Sequence, residues 1–380
     1  MRLALLLYKY FPYGGLQRDF LEVARMLQQR GCQCRIYCLE WQGETLAGAD
    51  LRRVPVRALS NHVRYRKFLD YVQTDLATDP VDGIVGFNKM PGLDIYFAAD
   101  PCFADKLAQR GWWYRHSSRA RHFASWEQAV FGTGGAQRIL TLSDSQRDVF
   151  SRYYQTPAAR MMRLPAGVLP DRTYPDDALE RRRTAREALE VASGELVLLS
   201  LGSGFATKGL DRTIEAVAAM RQEQPSQALR LLVVGQDKSG RFRRQAKKLD
   251  LADNVQFLGG REDVVDLMLA ADLLVHPARN EAAGVVLLEA IVMGLPVVVT
   301  DVCGHAHHVA AARAGLVLPS PFSQSDLQRA IMRFFDGVYR ADCREAALLY
   351  TRLTDLRSTH AVAADMILQL VSRRTTGRRD

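Results

Sequence analysis

Residues 277–300 read PARNEAAGVVLLEAIVMGLPVVVT, and this stretch decides the fold class. Its apolar run, residues 285–293, has the length and continuity of a buried helix, and residues 297–300 read as the buried strand that follows. Between them Gly294 ends the helix and Pro296 prevents its continuation. Strand, loop, helix, strand is the unit from which parallel sheets are built. Glu281 lies in the loop and Glu289 in the helix, eight positions apart. Around the first are Asn280, Ala282, Ala283 and Gly284, small or turn-forming residues that let a ligand approach the backbone. A helix start there presents unpaired amides and the positive end of the helix dipole, which suits a phosphate or a polar sugar. Carboxylates that cleave a glycosidic bond stand about 5–9.5 Å apart, whereas eight helical residues rise about 12 Å. The spacing therefore favours two separate contacts on one elongated ligand. A pair of merely solvated carboxylates is the plain alternative.

The same rhythm extends outward. In the C-terminal half, further strands are expected at residues 196–202, 231–235, 255–259 and 273–276, with helices between them, one rich in lysine and arginine. The first strand runs into Ser203-Gly204-Phe205-Ala206-Thr207-Lys208-Gly209, a glycine-rich loop that delivers Lys208 to a helix start. It has neither the P-loop ending nor the G-x-G-x-x-G spacing, yet a lysine so placed is enough to hold a diphosphate. At the other end, residues 3–7 read as a buried strand leading past Lys9 to Gly14 and Gly15, then into an amphipathic helix that opens with Arg18 and Asp19. A strand, glycine turn and helix start form an anion-binding geometry. Strands are also expected at residues 34–39, 84–87, 95–98 and 139–142. LPAGVLPD, residues 164–171, reads as a linker, and after residue 318 the chain reads as helical, ending in a basic tail at residues 373–379. The expected architecture is α/β, with two Rossmann-like, doubly wound domains at residues 1–164 and 173–352 and a linker at 165–172. They face a central cleft, with the ligand at the carboxyl ends of the strands. Residues 353–380 supply a C-terminal helix and tail.

With 380 residues the chain has room for two well-packed domains. The opening MRLALLLYKY lacks a signal-peptide pattern and no apolar run approaches the ~20 residues of a membrane span, so a cytoplasmic, non-spanning protein is expected. Cys32, Cys34, Cys38, Cys102, Cys303 and Cys343 match no common zinc spacing and read as reduced, structural thiols. A formal net charge of +9 implies an anionic partner and leaves nucleic acid, a membrane surface and a phosphorylated substrate open. Within residues 106–121, Lys106, Arg110, Arg115, Arg119 and Arg121 are interleaved with Trp112, Trp113, Tyr114 and His116, with Phe123 and Trp126 just beyond. Such a mixture suits an anionic bilayer interface; a solvated basic face over buried aromatics is the alternative. The usual nucleic-acid motifs are missing, so no nucleic-acid partner is expected. No two aspartates are separated by one residue, so the D-x-D of metal-assisted sites is missing and neither metal nor other cofactor is expected. His305, His307 and His308 read as a loop near the ligand rather than as a metal site.

The E-x7-E block with GLPVVVT after it resembles the signature of family 4 glycosyltransferases of the two-Rossmann-domain GT-B fold. More narrowly, YKYFPYGGLQRDF, VGFNKMPGLDIYFAAD and HPARNEAAGVVLLEA together resemble the lipopolysaccharide core glucosyltransferase I family. The resemblance implies a retaining hexosyltransferase that moves a hexose, glucose first, in α-1,3 linkage from a UDP-sugar to inner-core heptose of lipopolysaccharide. It also implies a metal-independent enzyme, peripheral on the anionic cytoplasmic face of the inner membrane, and a C-terminal helix returning to the N-terminal domain. Residue by residue, Glu289 would grip the ribose and Glu281 the hydroxyls of the donor sugar. Lys208 would neutralise the departing UDP, with Arg172 as a second cation. Backbone around Arg261 would hold uracil, and Ala282, Ala283, Gly284 and Val285 would offer amides to sugar and phosphate. Gly14 and Gly15 would face the diphosphate and the transferred sugar. Asp100, in FAAD, and Asp19 are candidates to orient or deprotonate the acceptor hydroxyl, each equally readable as a helix cap. Charge grows on the diphosphate as the glycosidic bond breaks, which is where fixed cations and amides act most strongly. Many family members carry an arginine where this chain has Ser203 or Thr207, so the second phosphate cation falls to Arg172 or Arg212. Another UDP-hexose, or a UDP-N-acetylhexosamine such as UDP-GalNAc, stays open as donor. A non-catalytic nucleotide-sugar or membrane-binding module is the alternative of a different class.

Overall fold

The structure, a computed structural model, describes residues 1–12, 14–108 and 110–376, the last three by backbone alone. The expected basic tail lies outside the described residues from Gly377 onward. The chain divides into two compact units, one formed by Met1–Leu169 with the segment from Ser358, the other by Pro170–Arg357.

The first unit runs β1 (Arg2–Leu6), β2 (Lys9–Tyr10), α1 (Gly15–Gln29), β3 (Gln33–Cys38), β4 (Glu40–Trp41), β5 (Asp50–Arg53), α2 (Asn61–Thr78), β6 (Gly83–Gly86), β7 (Ile95–Ala98), α3 (Phe103–Ala108), α4 (Trp112–Arg115), α5 (Ser118–Phe131), β8 (Arg138–Thr141), α6 (Asp144–Tyr154) and β9 (Met161–Arg163). Seven strands form a parallel sheet in the order β5-β3-β1-β6-β7-β8-β9. Leu3, Ala4, Leu5 and Leu6 of β1 are all buried, as an apolar run with helices on both faces requires. The strand order reverses at β1 and β6, so the segments leaving these two strands open at the switch point where ligands of such sheets collect.

The second unit runs α7 (Ala178–Ala188), β10 (Leu196–Leu201), α8 (Leu210–Glu223), β11 (Leu229–Val234), α9 (Gly240–Lys248), β12 (Val255–Gly259), α10 (Val264–Ala270), β13 (Leu273–His276), α11 (Val285–Val292), β14 (Val297–Thr300), α12 (Ala306–Ala311), β15 (Gly315–Leu318), α13 (Gln324–Met332) and α14 (Gly337–Leu353). Its six strands are parallel in the order β12-β11-β10-β13-β14-β15, with the reversal between β10 and β13. Lys208 and Glu281 leave those two central strands, which is why residues so far apart in sequence meet.

The last helix, α15 (Thr359–Thr376), packs along α1 in the first unit, as expected of a helix that returns to the N-terminal half. Arg30 Nε pairs with Asp365 at 2.6 Å, His360 Nε2 meets Asp19 at 2.8 Å, and the Thr359 hydroxyl donates to the Pro165 carbonyl at 2.7 Å. Expected and observed strands differ mostly by one residue at their ends. The strands without an expectation are β2, β4, β5, β9 and β15. β5 reads DLRR, an edge strand whose charges hide it from any apolar pattern, and β9 has three residues.

Candidate active site

Gly209 has φ +75°, and a Cβ there would lie 2.1 Å from the Pro277 carbonyl oxygen, so only glycine lets the loop after β10 press against the chain leaving β13. That contact brings Lys208 Nζ to 2.5 Å from Glu281 Oε2. The same oxygen lies 3.6 Å from Nε2 of His276, the last residue of β13. Burial alone would raise the Glu281 pKa, but Lys208 and His276 outweigh it and hold the carboxyl at about 2. Burial pushes the His276 imidazole down, keeping it neutral. Glu281 is thus a fixed negative charge with a cation on one side and an uncharged ring on the other.

The backbone around Glu281 is extended, not helical. Glu281 bridges to Cys303, its carbonyl accepts from Gly304 at 3.2 Å, and the Ala283 carbonyl accepts from His305 at 2.8 Å. Helix α11 starts only at Val285, after Gly284 at φ +78°. The 12 Å helical rise expected between the two glutamates therefore does not describe their separation, because half of the interval is loop. His307 Nδ1 contacts the Gly304 carbonyl at 3.0 Å and His308 Nδ1 contacts the Tyr350 hydroxyl at 2.7 Å. Among the described residues no group of three or more His, Cys, Asp or Glu is arranged to hold a metal ion.

Glu289 has its own cation. Arg172, buried at the start of the second unit, donates from Nε to Glu289 at 3.0 Å and from an Nη to Asp171 at 3.1 Å. Arg212 is engaged elsewhere: it donates to the Pro277 carbonyl at 3.0 Å and stacks 3.7 Å over the Phe322 ring. Arg261 follows β12 and pairs with Asp263 at 2.5 Å. The loop that carries Lys208 is stapled by Asp237, which accepts from the Phe205 amide at 2.9 Å.

In the first unit, Gly14 precedes α1, and a Cβ there would meet Gln17 Oε1 at 1.9 Å, while Gly15 opens the helix with free space beside it. Lys9 is committed to Glu40 at 2.8 Å. Asp19 lies inside α1, bonded to His360, and so caps nothing. Asp100 follows β7; burial and the neighbouring Glu127 raise its pKa, against Lys89 and a hydrogen bond from Asn88. Its reading as the cap of α3 is taken by Glu127, a residue sequence reasoning passed over. Glu127 is fully buried on α5, accepts from the Phe103 and Ala104 amides at 2.7 and 2.9 Å and from the Tyr154 hydroxyl at 2.5 Å, and pairs with Lys89. Burial acts to raise its pKa, but Lys89 and the hydrogen bonds outweigh that and lower it.

The basic, aromatic segment forms α3, α4 and the start of α5. Trp112, Trp113 and Tyr114 are 59%, 83% and 38% exposed, and Lys106, Arg110, Arg115, Arg119 and Arg121 are exposed with them. Trp126 is 8% exposed and belongs to the core, so the surface ends before it. All six cysteines are buried and free. No helix among the described residues is long and apolar enough to cross a membrane.

Two family models match the chain: Glycosyltransferase Family 4 over residues 13–172 and Glycosyl transferases group 1 over residues 181–348. The chain is 45% identical over 369 residues to lipopolysaccharide glucosyltransferase WaaG of Escherichia coli, covering 97% of this chain and 98% of the relative. A crystal structure of WaaG, described as a glycosyltransferase involved in lipopolysaccharide biosynthesis, superposes with TM-score 0.92 at 44% identity, covering 96% of this chain and 99% of that one. The Anabaena HepE structure in complex with UDP-glucose shares the fold, with TM-score 0.75 at 18% identity over 97% of this chain and 99% of its own. Two Rossmann-like parallel sheets and a full-length likeness to one enzyme lead to one assignment: this chain is a glycosyltransferase of GT-B fold and belongs to the family of lipopolysaccharide glucosyltransferase WaaG.

Proposed function

We propose that the chain transfers a hexose, glucose first, from a UDP-sugar to an inner-core heptose of lipopolysaccharide in α-1,3 linkage, with retention of anomeric configuration. The likeness to WaaG along almost the whole chain carries this reading. The donor roles fall in the second unit. Glu289 binds the ribose hydroxyls, the backbone near Arg261 the uracil, and Glu281 the sugar hydroxyls, with amides of residues 282–285 around sugar and phosphate. Lys208 is the cation for the departing diphosphate and Arg172 the second one. In the first unit Gly14 and Gly15 offer close backbone approach, and Asp100 is the carboxyl for the acceptor hydroxyl. Asp19 ranks below it because His360 already holds its carboxylate.

The chemistry supports these roles. The bond from the sugar's anomeric carbon to the β-phosphate oxygen breaks, and the acceptor oxygen bonds to that carbon on the same face as its proton passes to the Asp100 carboxylate. Negative charge appears on the diphosphate, where a lysine already held in place stabilises it more than water, which must reorient, does. Lys208 needs no metal for this role. Incubating the chain with UDP-glucose and heptose-terminated core is expected to release UDP and add one glucose. No UDP release with any UDP-hexose or UDP-N-acetylhexosamine, UDP-GalNAc included, would reject the reading in favour of a binding module.

The chain also attaches peripherally to the anionic inner-membrane surface, through Trp112, Trp113 and Tyr114 and the exposed basic residues Lys106, Arg110, Arg115, Arg119 and Arg121. The support is the set of exposed tryptophans flanked by unburied arginines. Replacing Trp112 and Trp113 by serine is expected to lower sedimentation with anionic liposomes about tenfold, with turnover of a soluble acceptor unchanged. Equal binding to neutral vesicles would contradict an electrostatic attachment.

A further inference from the structure

His276 is buried, 1% exposed, and its Nε2 has no partner within hydrogen-bond distance, the Glu281 Oε2 it faces lying at 3.6 Å. Buried polar atoms are seldom left so, since a group withdrawn from water loses its hydrogen bonds unless the protein replaces them. We propose that His276 is a positioning residue that takes hold of the Glu281 carboxylate when Lys208 turns to the donor diphosphate. The inference rests on the donor reading given above.

The conflict it resolves is visible in the geometry. Lys208 Nζ sits 2.5 Å from Glu281 Oε2, so the cation assigned to the diphosphate is already engaged by the carboxylate assigned to the sugar. A diphosphate carries more charge than one carboxylate and draws the ammonium away. Glu281, partly buried, would then lose the ammonium that offsets its burial and keep only neutral donors, which is unfavourable. His276 faces the same oxygen at 3.6 Å, and a shift of about 0.6 Å brings it to an ordinary hydrogen-bond length. Its neutral ring donates Nε2–H without adding a second positive charge that would compete with Lys208. The other titratable group against Glu281 is Cys303, whose thiol burial pushes up to about 12, so it stays neutral. His276 ends a central strand and is walled in by core, so it moves little; a rigid donor aims Glu281 at the sugar in one orientation.

The full chain is tested with His276→Phe, which keeps a ring without the donor, and His276→Gln, whose amide nitrogen reaches the Nε2 position. Wild-type UDP release is measured first, so that failure of the donor reading appears in the wild type itself. The Phe variant is expected to lose about 10- to 100-fold in kcat with a much smaller loss of UDP affinity, because UDP draws Lys208 away but lacks the sugar that Glu281 orients. The Gln variant is expected to recover most of that loss. Equal kcat in both variants, or loss of UDP affinity in step with kcat, overturns the proposal. If either variant misfolds, the Nε2–H resonance of His276 in the wild type decides: it should move on adding UDP, whose diphosphate draws Lys208 away, and likewise on adding UDP-glucose. An unmoved resonance with UDP-glucose bound overturns the hand-over.

Discussion

Glu281, in the loop after β13, and Asp100, just beyond β7, are both carboxyls near the end of a parallel strand and both are half-buried. Burial raises the pKa of each, yet the outcomes are opposite. At Glu281 an ammonium at 2.5 Å and an imidazole overcome burial and hold the group at about 2. At Asp100 the help comes from a neutral amide and from Lys89, whose own closest carboxylate is Glu127, and the pKa stays raised. The difference lies in which neighbour owns the cation, not in depth. It suits a division of labour in which the second unit keeps a constant charge for the donor and the first keeps a carboxyl nearer to proton exchange for the acceptor.

The largest expected effect comes from removing the cation. Lys208→Ala should lower kcat for UDP release about 10²- to 10³-fold, and it should raise the Glu281 pKa toward that of Asp100, which a carboxyl NMR titration would read. Next, Glu281→Gln should lower kcat/KM about 10- to 100-fold. It should also change acid unfolding. A carboxyl held at about 2 contributes stability that is complete above its unfolded value of about 4.3 and lost as pH falls through about 2. The Gln variant should lack that loss. Glu289→Gln should raise the donor KM about tenfold with kcat nearly constant, since a ribose contact binds ground and transition states alike. The smallest effect is on Asp100. Its raised pKa means stability present at low pH and lost as pH rises through the folded value, so Asp100→Asn should raise the Tm at neutral pH while lowering kcat. A lowered Tm would break the comparison.

The fold was legible because parallel strands buried on both faces, such as β1, β10 and β14, are continuous apolar runs. Edge strands such as β5 were not, since one of their sides meets solvent and charge is tolerated there. Lys208, Glu281 and Glu289 were legible as candidates from loop chemistry and spacing. Their partners were not: Lys208 meets Glu281 across 73 positions, and Arg172 meets Glu289 across 117. Local pattern carries no such information. His276 looks like the polar end of an apolar strand, and only its place at the carboxyl end of a central strand could have singled it out. Glu127 has Phe123, Ala124, Val130 and Phe131 at helical spacing, so its face reads as apolar, but its partners Lys89 and Tyr154 lie far off in sequence and no local pattern shows them.

The central claim is that UDP is held in the second unit by Glu289 at the ribose and Lys208 at the diphosphate. A crystal structure with UDP tests it most directly. Both ribose hydroxyls are expected within hydrogen-bond distance of Glu289 and a phosphate oxygen on Lys208 Nζ, with the Lys208–Glu281 contact lengthened from 2.5 Å. UDP bound elsewhere, or bound with Glu289 turned away from the ribose, would contradict it.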